Sequence, residues 1–255
     1  MRNCMENYET VLAAVKENGD YLVRVKGDLR ENKSIVLAAV TKCGDALRYV
    51  SNQLKGDQEI VLAAVNENGR ALRFASKDLQ KNERITLAAV SQDGDALCSA
   101  SEDLKNIKKI VLAAVTKCGD ALRYASYQCK SNKEIVLAAI NENGRALAFA
   151  SEALRKDPEV VLEAMKENLA ASEYSLLSHE ETKALLHRIS VEFFPFGEYH
   201  LTIFDKQRRD GSNIKQNQQS LKEILSYFSV TDASRFSQVS KETKELFEPG
   251  LKVAK

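Results

Sequence analysis

The chain has 255 residues and a mass of 28.4 kDa, with 37 basic and 36 acidic side chains and a net charge of +1. That length is ample for a sizeable core in one or two domains, and the charge balance argues against an electrostatic binder of nucleic acid. A composition of 44% hydrophobic and 29% charged residues describes an ordinary soluble protein, and no apolar run approaches the roughly 18–20 residues that a membrane span needs.

The opening stretch MRNCMENYETVLAAV lacks a basic region, an apolar run and a cleavage site, so no secretory leader is expected. The five cysteines are then free thiols of a reducing compartment. From residue 10 a repeat dominates. TVLAAV, IVLAAV, IVLAAV, ITLAAV, IVLAAV, IVLAAI and VVLEAM begin at positions 10, 35, 60, 85, 110, 135 and 160, a period of 25 without a gap. Leu12 and Ala14 head two columns that run through all seven copies. Gly19, Gly44, Gly69, Gly94, Gly119 and Gly144 form a third, which Leu169 breaks. Leu22, Leu47, Leu72, Leu97, Leu122 and Leu147 form a fourth, and the seventh copy has Ser172 there.

Each copy reads as two short helices. Asn32, Asp57, Asn82, Asn132 and Asp157 sit where a side-chain oxygen caps the first helix, and Pro158 occupies a first helical position. The column glycine is expected as a left-handed C-terminal cap. Asp20, Asp45, Asp95 and Asp120 are expected to cap a second helix over segments such as ALRFASKDLQ, where Leu72, Ala75 and Leu79 share an apolar face. Helices of about ten residues are marginal alone in water. Stacking each pair on the next buries their apolar faces in one continuous core. The predicted fold is therefore all-α: an α-solenoid of six to seven two-helix repeats over residues 7–175.

A longer symmetry overlies this one. Residues 35–49 and 110–124 are identical, and 66–76 differs from 141–151 once. A block of three copies was duplicated. Cys43 and Cys118 are thus copies of one another, about three layers apart and too distant for a disulfide. Neither has a histidine at ligand spacing, so inert thiols and no metal are expected.

The unit EIVLAAVNENGRALRFASKDLQKNE is similar to a short repeat of unknown function that is abundant in amoebae and in bacteria living inside them. The resemblance covers residues 7 to about 170. It implies helical repeats and interaction surfaces, and supplies no catalytic residues. The first copy departs from the pattern, with Tyr21-Leu22-Val23-Arg24-Val25 where the family has A-L-x-Y-A, which implies a reshaped N-terminal cap.

In a solenoid the constant columns pack and the variable ones face water. The variable positions include Arg70 and Arg145 after the glycine, and Tyr49, Phe74, Tyr124 and Phe149 two residues after the column leucine. Half-exposed aromatics beside arginines are the composition favoured at binding hot spots. The alternative is that these rings cover the seam between repeats. Residues 1–175 carry 25 basic against 25 acidic side chains, so a protein partner is expected rather than nucleic acid.

Beyond residue 175 the composition changes. Ser178-His179-Glu180-Glu181 reads as a capping box opening a helix through about Ile189, with Leu185 and Ile189 on its apolar edge. VEFFPFGEYHLTIF at 191–204 has strand composition and predicts a short hairpin; residues 205–219 read as a polar linker with an Asp210-Gly211 turn. Residues 176–215 thus form a mixed connecting segment. His179, His187 and His200 match no ligand motif, so neither catalysis nor a cofactor is expected there.

Residues 216–250 divide into three short helices. Here Ile224-Leu225-Ser226-Tyr227-Phe228, Asp232, Ser237, Val239 and Lys241 resemble an F-box, although the usual opening L-P is absent and Ser240 and Thr243 replace its cysteine and tryptophan. The resemblance implies docking on the Skp adaptor of a cullin–RING ubiquitin ligase through Ile224, Leu225, Tyr227, Phe228, Phe236 and Val239. The solenoid would then recruit a protein substrate, in a monomer working in eukaryotic cytosol. The alternative is a scaffold whose final module only caps the stack.

Overall fold

The structure is a computed structural model that describes residues 7–193. The chain divides into two compact units, residues 1–151 and 152–255. Every described copy opens with a ten-residue α-helix: α1 (Tyr8–Glu17), α2 (Lys33–Lys42), α3 (Gln58–Glu67), α4 (Glu83–Gln92) and α5 (Lys108–Lys117). After the short helix α6 (Tyr127–Lys130) come α7 (Lys133–Glu142), the short α8 (Glu152–Arg155), α9 (Pro158–Glu167) and α10 (His179–Phe193). The fold is an α-helical solenoid, with no strand among the described residues.

The helices start where their caps are. The side chains of Asn7, Asn32, Asp57, Asn82, Asn132 and Asp157 each accept a backbone N–H from the first turn, and Pro158 stands where its missing N–H costs nothing. Only one face of each helix is apolar. In α3, Ile60, Val61, Ala64 and Val65 are fully buried, and the same four positions repeat in α2, α5 and α7. Helices α1, α2, α3, α4 and α5 each pack on the ten-residue helix of the next copy. A fully buried Val or Ile contributes about 1.5–3 kcal/mol, which lets helices this short persist.

The second half of the repeat differs from its expected form. It is not one continuous α-helix but a 3-10 helix such as Gly69–Phe74, an extended residue, and a second short turn that is 3-10 at Leu79–Lys81 and α-helical in α6 and α8. Ala75 breaks the helix at φ −65°, ψ 158°. The following N–H is needed elsewhere: Ser76 donates to the Lys55 carbonyl of the preceding copy at 2.9 Å. Ser101 to Gln80, Ser126 to Lys105 and Ser151 to Lys130 repeat this bond at 2.9–3.1 Å. The expected apolar face survives the change, since Leu72, Ala75 and Leu79 are all buried.

The column glycines also serve another purpose than expected. None adopts a left-handed conformation; among the described residues only Gly27 does, at φ 62°. Gly19, Gly44, Gly69, Gly94 and Gly119 instead lie flat against the next copy. A Cβ on Gly69 would collide with the Ala89 carbonyl oxygen and come within 2.9 Å of the Asp93 nitrogen, the cap of α4. Gly19, Gly44, Gly94 and Gly119 make the same approach. The 3-10 helices are capped one residue before the glycine: Asn18, Asn68, Asp93 and Asn143 accept the N–H two residues on, in place of the aspartates assigned that role from sequence.

The first copy is reshaped where it departs from the pattern. Its 3-10 helix is shortened to Gly19–Val23, and a second one, Gly27–Glu31, opens on the left-handed glycine. In the second unit, the 3-10 helix Leu169–Tyr174 keeps the repeat's form without the glycine. The capping box is present: Glu181 N–H donates to Ser178 Oγ at 3.3 Å, and Ser178 N–H donates to the Glu181 carboxylate at 2.8 Å. The Ser178 hydroxyl, donating to the same carboxylate at 2.7 Å, and then the Ser178 N–H hold the Glu181 carboxyl below its ordinary pKa. Leu185 and Ile189 are buried as expected. The helix continues to Phe193, past the expected end at Ile189, so residues 191–193 of the expected hairpin are helical. The rest of that hairpin, the linker and the F-box-like segment lie outside the described residues.

Two substitutions separate packing from composition. Gly69→Ala forces backbone apart and is expected to destabilise the chain by about 1–3 kcal/mol in denaturant unfolding. Gly56→Ala, with nothing nearer than Ser76 Oγ at 3.8 Å, is expected to be neutral or slightly stabilising. Thr86 is fully buried and its hydroxyl has no hydrogen-bond partner, at a position that is valine in the other six copies. Thr86→Val is expected to raise stability by about 1–2 kcal/mol in the same assay.

Candidate interaction surface

The 3-10 helices of the first unit lie side by side, and the variable positions singled out from sequence fall on them. Tyr49, Phe74, Tyr124 and Phe149 are all half-buried near the ends of their 3-10 helices. Each ring lies under a guanidinium. Arg48 stands 4.6 Å from the centroid of Tyr49, Arg73 4.4 Å from Phe74, and Arg123 5.3 Å from Tyr124. Arg123 also lies 5.5 Å from the ring of Phe149 in the following copy. The Arg123–Phe149 contact spans the seam between two copies, whereas the other three stacks lie within a single copy. A cation held over an exposed ring gains about 0.5–1 kcal/mol. The fourth copy interrupts the row, with Cys98 and Ser99 in the places of arginine and aromatic.

The residue after the glycine turns out to be a cross-link. Arg70 pairs through Nε with Asp93 at 2.7 Å and through a terminal nitrogen with Asp95 at 2.8 Å, both in the next copy. These carboxylates, Asp93 first, raise the guanidinium's pKa above its ordinary value. Asp45 accepts from the Asn68 side-chain amide at 3.1 Å, and Asp120 from that of Asn143 at 2.9 Å. The Cys43 thiol faces Asp20 at 3.9 Å. Burial and the nearby Asp95 raise the Cys118 thiol's pKa. Apart from Arg70–Asp95, each pair joins residue i of one copy to residue i+23, the C-cap of the next copy's α-helix. Arg145 is half-buried, its backbone N–H bonded to Asn143 Oδ1 at 3.0 Å.

Sequence reading missed a further column. Arg30, Gln80 and Lys130 reach back seven residues to the carbonyls of Val23, Arg73 and Arg123, at 2.9, 3.2 and 2.7 Å. They satisfy the open end of the 3-10 helix. Burial lowers the Lys130 pKa. The signal was present as a long polar side chain at 25-residue intervals, but such residues read by default as a solvated face.

Among the described residues, no group of three or more His, Cys, Asp and Glu side chains is placed to hold a metal, and no helix is long and apolar enough to cross a membrane. His179 and His187 both lie on α10, eight residues apart. His200 and the docking residues Ile224, Leu225, Tyr227, Phe228, Phe236 and Val239 lie outside the described residues.

A family model described as a domain of unknown function, DUF4116, matches residues 7–55, 57–105, 107–155 and 132–178. Each match spans about two of the 25-residue copies, so the family's unit is a pair. No curated protein and no solved structure matches the chain.

The thiols offer a check on this geometry. Among Cys43, Cys98, Cys118 and Cys129, only Cys98 is exposed. Maleimide labelling mapped by mass spectrometry is expected to modify Cys98 first of these four. Equal labelling of Cys118 would contradict its placement against the neighbouring copy.

Proposed function

We propose that this chain, which belongs to the DUF4116 family, is a protein-interaction adaptor whose solenoid holds a protein partner on the 3-10 face. The observation that carries this reading is the row of half-buried aromatics topped by arginines at positions that vary between copies, while the columns that stay constant pack or approach the next copy. Aromatic and arginine side chains are the groups most often found at the centres of protein interfaces. The face is close to electrically neutral, because Arg70, Arg73 and Arg123 each have an aspartate within 3.6 Å. Recognition there would rest on shape and stacking rather than on bulk charge.

The finer form of the proposal rests on sequence. The F-box-like residues Ile224, Leu225, Tyr227, Phe228, Phe236 and Val239 would dock on a Skp-type adaptor of a cullin–RING ubiquitin ligase. Such an arrangement needs no chemistry in this chain. It works by raising the effective concentration of the partner's lysines beside the ubiquitin-charged enzyme. The site of action is then eukaryotic cytosol, reached by synthesis in an amoeba or by injection from an intracellular bacterium. The competing form is a scaffold with no ligase link, in which residues 216–255 serve only to cap the stack.

Co-purification from a eukaryotic lysate separates these forms. The ligase reading expects full-length protein to co-elute with Skp, and Phe228→Asp to abolish this while the solenoid's partner stays bound. Absence of Skp from the wild-type eluate defeats the ligase reading. Tyr49→Ala with Tyr124→Ala is expected to release the solenoid's partner by a factor of about ten or more.

A further inference from the structure

We infer that the junction between the fourth and fifth copies is a weak joint, where the first unit opens locally before the rest of it unfolds. In a stack of repeats, stability is close to a sum of the copies and their interfaces, so the poorest interface sets where the array parts. Two separate losses meet at this one. The first is the cap of α5. Asn7, Asn32, Asp57, Asn82, Asn132 and Asp157 cap their α-helices, but Ile107 has no oxygen to offer, and α5 starts with no side-chain cap. Its first turn also carries Lys108 and Lys109 and no acidic residue, the wrong sign for a helix N-terminus.

The second loss is the cross-link after the glycine. Asp45 and Asp120 each receive an amide from the next copy's asparagine. Asp95 faces Cys118 instead, and its Oδ1 is buried without a hydrogen-bond partner. Within the fourth copy itself the buried Ser101 Oγ has no partner, as is also true of Ser151 Oγ in the sixth, and Cys98 and Ser99 stand in the places of arginine and aromatic. The apolar core continues across the junction, with Val90, Ile110 and Val111 buried. The Ser126 N–H bond to Lys105 remains, as does the Ser126 hydroxyl bond to Asn106.

The joint therefore keeps its apolar core and the Ser126 bonds but lacks the helix cap and the aspartate cross-link, which favours reversible opening over a permanent break. It also falls between the two similar aromatic patches, Tyr49 with Phe74 and Tyr124 with Phe149. Opening there would alter the spacing of the patches without altering either one. The inference does not depend on what the face binds.

Native-state hydrogen exchange on the full chain tests it. Amides of residues 110–118 are expected to exchange at least about tenfold faster than those of residues 60–67, although both lie inside the array. The double variant Ile107→Asn with Cys118→Asn restores residues that other copies already use at these places, Asn82 and Asn68. It is expected to slow exchange over 110–118 by about five- to tenfold and leave 60–67 unchanged. Wild-type exchange equally slow in both segments overturns the inference, as does a variant that slows every helix by the same factor.

Discussion

The architecture depends on one close approach. At the end of the α-helix in each of the first five copies the chain turns through a glycine whose Cα rests against the capped C-terminus of the next copy's helix. No side chain fits there. Because the contact is backbone against backbone, it fixes the rise from one copy to the next more tightly than an oily seam would. Everything else follows from that spacing. It brings the apolar faces of ten-residue helices together, sets the serine N–H of one copy opposite a carbonyl of the one before, and places residue i of each copy beside the cap at i+23.

Specificity is written over that common frame. The interior is almost uniform, and uniform interiors permit slippage, since any copy can stack on any other. The polar pairs across the seams differ: aspartate with cysteine, aspartate with asparagine, arginine with two aspartates, and then aspartate with cysteine again. A slip by one copy would bring Asp45 against Asp93 and leave like charges side by side. A slip by three copies would restore the first two pairs, setting Asp20 against Cys118 and Asp45 against Asn143. Correct register is thus protected against the small errors by electrostatics. The three-copy duplication visible in the sequence is the change these pairs tolerate.

Much of this was legible from residues alone. The period, the helix caps, Pro158, the capping box at Ser178 and the buried columns all have local causes, and local causes can be read locally. The second half of the repeat was not legible in the same way. Leu72, Ala75 and Leu79 share a face in an α-helix and also in a 3-10 helix followed by a turn. The choice is made by the Ser76 N–H bonding to another copy. The glycine column was misassigned for a related reason. A glycine after a helix fits a left-handed cap and fits a close approach, and only the neighbouring copy decides between them. The candidate face was partly visible, in that Tyr49, Phe74, Tyr124 and Phe149 were picked out by their variability. That Arg70 spends its charge on Asp93 and Asp95 was hidden, because pairing at i+23 and i+25 has no local signature.

The direct test of glycine-led stacking is a chain lacking residues 35–109, one complete block of three copies. The deletion joins the first copy to the fifth and sets Asp20 opposite Cys118 in place of the identical Cys43. Far-ultraviolet circular dichroism and denaturant unfolding report the outcome. If the repeat interface carries the fold, the shortened chain keeps a cooperative unfolding transition at a lower midpoint, with helical signal per repeat residue unchanged. Loss of that transition, with the helical signal gone from the remaining copies, would contradict it.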